Sequence, residues 1–107
     1  MRRACKLDRN HRDIVEALEL LGATVQSLAP MGSGVPDLLV GHRNLNLLLE
    51  VKDGSLPPSR RRLTDDEAEW QFLWRGQKAV VYSPEEAQMV VINYVRGLLG
   101  NGRQPKA

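Results

Sequence analysis

The chain has 107 residues, enough for one compact domain and too few for two comfortable ones. Its 42% apolar and 26% charged residues exclude a disordered chain, and its net charge of +2 is only a slight bias towards polyanions. The single Cys5 excludes an intrachain disulfide and argues against a thiolate zinc site, and no apolar run approaches the ~20 residues of a membrane span. The opening MRRACKLDRN lacks the apolar stretch of a signal peptide, so the expectation is a soluble, cytoplasmic protein with no membrane partner.

In chain order, NHRDIVEALELLG predicts a first helix, capped by Asn10, with Ile14, Leu18 and Leu21 on one face and Gly22 at its end. ATVQSLA predicts a short strand. PMGSGVP, from Pro30 to Pro36, is a loop whose glycines permit positive φ or close backbone approach. Two strands follow, over 37–41 and 46–53. GSLPPSRRR is an exposed loop, since Pro57 and Pro58 fit neither a strand nor a helix interior. Thr64 and Glu67 form a capping-box pattern opening a helix that ends near Gly76. KAVVYS predicts a strand, and Ser83, Pro84 and Glu86 start a last helix reaching Leu99. The order α-β-β-β-α-β-α predicts one α/β domain over 1–99, followed by a flexible tail over 100–107.

The stretch PDLLVGHRNLNLLLEVKDG carries the chemistry. If Arg43-Asn44 is a two-residue hairpin turn, His42 faces Leu45 and Asp37 falls opposite Glu50. Side chains alternate along a strand, so Leu38, Val40, Leu47, Leu49 and Val51 form an apolar face. The other face gathers Asp37, Glu50 and Lys52, and a one-residue slip would drive these charges into the core. Two facing carboxylates repel unless a cation lies between them. Carboxylate oxygens suit Mg²⁺, with Mn²⁺ as a substitute. Such an ion beside a lysine is equipment for phosphodiester hydrolysis, with Lys52 orienting the attacking water or stabilising the pentavalent charge.

Asp37, followed after twelve residues by Glu50-Val51-Lys52, resembles the PD-(D/E)XK nuclease superfamily. GVPDLLVG, LLEVKDG, PPSRRRLT and EWQFLWRG together resemble its VRR-NUC branch, particularly small stand-alone phage-type members related to Holliday-junction resolvases. The resemblance implies a restriction-endonuclease-like core, a four-stranded mixed sheet flanked by helices. It implies Mg²⁺-dependent cleavage of branched DNA by a homodimer, leaving 5′-phosphate ends, in a host cytoplasm if the gene is phage-borne. Asp37 and Glu50 carry over as metal ligands with the Val51 carbonyl, and Lys52 as the catalytic lysine. A flap, nick or duplex nuclease, and a catalytically silent DNA-binding module, share the same fold.

Two positions depart from the family pattern. Resolvase relatives carry a glutamate on the first helix where this chain has His11, with Glu16 and Glu19 as candidate substitutes. Relatives also carry a glutamine at the position of Glu67, and Gln71, one turn on, is the candidate to take its catalytic role. Other residues stay open between two readings. Arg60, Arg61 and Arg62 are either a solvated loop or phosphate contacts, and Gly32, Ser33 and Gly34 either plain loop or a place for a DNA strand to pass. Trp70 and Trp74 suit core or dimer packing better than base stacking, and the last helix either caps the sheet or supplies a dimer surface.

Overall fold

The computed structural model describes the backbone of residues 2–101 and the side chains of residues 9–97. Helix α1 spans Arg2–Leu20, strand β1 Thr24–Ser27, β2 Leu38–His42 and β3 Leu45–Val51. Helix α2 spans Asp65–Leu73, β4 Lys78–Val81 and α3 Pro84–Asn101, with single 3₁₀ turns at Ala29–Met31 and Pro58–Arg60. The strands lie in the order β1-β2-β3-β4. The first three are antiparallel and β4 runs parallel to β3, a crossover that needs α2 as its connection. The fold is a mixed four-stranded α/β architecture of the restriction-endonuclease type.

Helix α1 begins well before Asn10, which therefore does not cap it. Nothing in residues 2–9 breaks a helix, and the Asn10 amide has another partner, donating to the Lys52 carbonyl at 3.1 Å. The helix does end at Gly22. Its N–H bonds Glu19, the Ala23 N–H bonds Leu18, and φ is +104° at Gly22, which together make a Schellman motif. At the other end of the chain, Gly100 and Asn101 belong to α3, and the expected tail over 102–107 lies outside the described residues.

The β2–β3 register has Leu38 opposite Leu49 and His42 opposite Leu45. Arg43 and Asn44 both have positive φ, as a type I′ turn requires, and this turn locks the register. One sheet face is consequently apolar: Leu38, Val40, Leu47, Leu49 and Val81 are buried against Ile14 and Leu18 of α1 and Ala87 and Val91 of α3. The Gln88 amide donates to the Ala17 carbonyl and ties the two helices together. On the opposite face Leu39 remains 37% exposed. Helix α2 is held at its C-terminal end by the Lys78 ammonium, which donates to the Gln71 and Trp74 carbonyls.

Candidate active site

The site forms where the β2–β3 hairpin ends away from its turn. Alternation along β3 turns Val51 away from Glu50 and Lys52, and the register brings Asp37, just before β2, to the level of Glu50. One oxygen of the Asp37 carboxylate, Oδ2, accepts the Val51 N–H at 2.8 Å, which clamps the entry of β2 to the end of β3. Glu50 is only 3% exposed. Burial first, then the nearby charges of Asp37 and Glu67, push its pKa up to about 8, with Lys52 offering partial relief.

The Lys52 ammonium lies 2.7 Å from Glu67 Oε1 and 3.7 Å from Glu50 Oε2. Burial works against its charge, but the hydrogen bond and charge of Glu67, with Glu50 and Asp37 behind, hold its pKa above the ordinary lysine value. Burial likewise opposes ionisation of Glu67, yet the bonds from Lys52 and from the Thr64 N–H bring its pKa below the usual carboxylate value. Glu67 therefore has two roles. It completes the capping box of α2, with Thr64 Oγ1 accepting the Glu67 N–H, and it fixes the lysine.

These groups line a cleft of about 360 Å³ with Asn10, His11, Val51, Asp53, Leu56, Arg60 and Arg61. Asp37, Glu50, Val51, Lys52, His11, Arg60 and Arg61 are thus brought together, and His11 faces the cleft from α1. Glu16 is exposed elsewhere on α1, and Arg62 lines a neighbouring hollow. The residue of α2 beside Lys52 is Glu67, whereas Gln71 lies a turn further along and is not among the cleft's lining residues. Gly32, Ser33 and Gly34 all have positive φ in the loop leading to Asp37. A side chain at Gly34 would strike the Asp66 carbonyl, so this glycine admits the N-terminus of α2 to the site.

Sequence reasoning missed the Asn10 tether and the Lys52–Glu67 pair. The i, i+3 capping pattern identified Glu67 as a cap, and only proximity to β3 reveals its second partner. Two carboxylates on adjoining strands, one of them deeply buried, form a donor set suited to a small hard cation. Among the described residues no group of three or more His, Cys, Asp and Glu side chains is arranged to hold a metal. The Asp37–Glu50 pair would need backbone oxygen and water to complete a coordination shell, as Mg²⁺ commonly does.

A mixed sheet helix-covered on one face, with an Asp-Glu-Lys cluster at the end of its central hairpin, defines a restriction-endonuclease-like domain. No protein-family model and no curated protein matches the chain. Among solved structures it is similar to one described as a VRR_NUC domain, at 27% identity and a TM-score of 0.61, over 81% of this chain and 95% of that one. That likeness supports a VRR-NUC-type domain, a kind of domain named for nucleases. No helix among its described residues is long and apolar enough to cross a membrane.

Proposed function

We propose that the protein is a Mg²⁺-dependent DNA endonuclease that cuts branched DNA, four-way junctions foremost, as a homodimer. The observation that carries this reading is the convergence of Asp37, Glu50 and Lys52 on one cleft flanked by Arg60 and Arg61. Asp37, Glu50 and the Val51 carbonyl would hold the ion, with Mn²⁺ as a substitute. Bound there, the ion would polarise the scissile phosphate and acidify a water.

The protein's own residues supply the rest. In hydrolysis a water oxygen bonds to phosphorus, the bond to the 3′-oxygen breaks, and the products carry a 5′-phosphate and a 3′-hydroxyl. Charge builds on the phosphoryl oxygens during that exchange. Lys52, kept as an ammonium by Glu67, stabilises this charge and does not act as a base. Arg60 and Arg61 hold flanking phosphates, which makes affinity fall as salt rises. In the loop before Asp37 the space at Gly34 is taken by α2, and Gly32, open on its Cβ side, leaves room for the strand.

The dimer in this reading is supported by apolar surface on α2. Phe72 is 85% exposed, Leu73 and Trp74 are exposed beside it, and Trp70 stacks on Trp74 from below.

The test is incubation with an end-labelled four-way junction and matched linear duplex, in Mg²⁺, Mn²⁺ or EDTA. Paired metal-dependent cuts on opposing junction strands are expected. Equal cutting of linear duplex would replace the junction reading with a general nuclease. Binding without cutting in either metal would make the protein a DNA-binding module.

A further inference from the structure

The loop between β3 and α2 builds a second hollow that adjoins the catalytic cleft. It measures about 470 Å³ and is lined by Pro58, Arg61, Arg62, Leu63 and Tyr82. A proline ring, a leucine and a tyrosine make its apolar walls, its charged groups are two guanidinium ions, and no carboxylate is among its lining residues. Arg61 lines both spaces, so its side chain is a wall common to the two.

The floor of this hollow is held in place from several sides. The Arg61 guanidinium sits 5.3 Å from the centre of the Tyr82 ring, and its Nη1 donates to the Gly54 carbonyl at 3.3 Å. Gly54 donates in turn to the Tyr82 carbonyl at 3.0 Å, and a Cβ on Gly54 would lie 2.8 Å from that oxygen. The Tyr82 N–H is taken by Glu86 of α3. Ring and guanidinium are therefore positioned before any ligand arrives, which lowers the ordering cost of binding.

The lining selects a class of ligand. A bare phosphate gains nothing from Pro58, Leu63 and a tyrosine ring. An apolar peptide side chain gains nothing from two arginines. A nucleotide uses both, its flat base on the aromatic and apolar walls and on the guanidinium plane, its phosphate on the cationic rim. In continuous duplex both faces of every base are covered by stacked neighbours. Branch points, flaps and single-stranded ends leave base faces open.

We propose that this hollow binds one unstacked nucleotide of the substrate strand, next to the nucleotide held in the catalytic cleft, and thereby selects branched DNA over continuous duplex. The proposal rests on the nuclease reading for DNA as its substrate. It adds how a domain this small recognises the structure it cuts.

The test is binding in EDTA, where cutting does not interfere. Affinity is measured by fluorescence anisotropy for a four-way junction and for a series in which single nucleotides around the branch point are made abasic. The wild type is compared with Tyr82→Leu and Tyr82→Phe, and with Leu63→Ala as a second pocket variant should Tyr82→Leu melt early. At one position the abasic change is expected to weaken wild-type and Tyr82→Phe binding about tenfold. The same change is expected to cost Tyr82→Leu or Leu63→Ala much less. Abasic costs that are the same in wild type and both pocket variants at every position would overturn the pocket, even if the junction is cut in Mg²⁺. The expected coupling without any cutting in Mg²⁺ or Mn²⁺ would uphold the pocket and sink the nuclease. A protein that binds none of these DNAs would overturn both.

Discussion

Glu50 is a carboxyl placed where ionisation is hard, at 3% exposure and beside Asp37 and Glu67. The metal-free folded protein keeps a proton there up to about pH 8, while the unfolded chain releases it near the ordinary value of 4.5. Stability from this group is complete below that ordinary value and is lost as pH rises towards 8. Glu67 has the opposite sign, its pKa being lowered, so its contribution is present above the ordinary carboxylate value and lost in acid. Thermal melts in EDTA should therefore show the melting temperature falling between pH 6 and pH 8, and Glu50→Gln should flatten that fall. If Mg²⁺ binds the ionised form, it should raise the melting temperature more at pH 8 than at pH 6. A melting temperature that rises over this range in EDTA would show that Glu50 ionises normally. For Lys52, substitution by Ala should lower turnover by about 10²–10³-fold, the effect of removing one preorganised charge stabiliser, and leave junction affinity in EDTA within a few-fold. Loss of affinity in parallel with turnover would recast Lys52 as a binding residue.

At the scale of elements, the site depends on how α2 begins. Thr64→Ala removes the oxygen that accepts the Glu67 N–H and should cost about 1 kcal/mol by denaturant unfolding. Gly34→Ala is expected to cost more, because φ is +81° there and the added methyl would meet the Asp66 carbonyl. A neutral Gly34→Ala would mean that α2 can withdraw from the loop. Helix α1 acts on the same site through Asn10, whose amide reaches the carbonyl of Lys52 across the cleft. The two contacts differ in how they are encoded. The capping box is written in four consecutive residues and was readable as such, whereas no local pattern distinguishes Asn10 from a helix cap.

For the molecule as a whole, one sheet face is sealed by α1 and α3 while the other leaves Leu39 and the outer side of α2 open. The proposed dimer would cover the exposed Phe72, Leu73 and Trp74. Phe72→Asp should convert a dimer into a monomer by light scattering at micromolar concentration and should uncouple the two junction cuts, leaving nicked products. A wild-type monomer under the same conditions would remove the dimer from the proposed function and assign the paired cuts, if seen, to successive encounters.

The sequence by itself determined the hairpin and what it presents. A two-residue turn with left-handed residues and a strict alternation of apolar and charged positions leave one register that keeps Glu50 and Lys52 out of the core. Local chemistry also set the Gly22 helix stop and the start of α2. Only the tertiary structure decided what surrounds those charges: Asn10, 42 positions from Lys52, tethers its carbonyl, and Glu67 rather than Gln71 takes its ammonium. It also set Arg61 between two spaces, on the ring of Tyr82. Turns, caps and strand faces are encoded within a few residues by backbone sterics and periodicity. Contacts between distant segments follow from how whole faces bury against one another, and no single spacing in the chain states that.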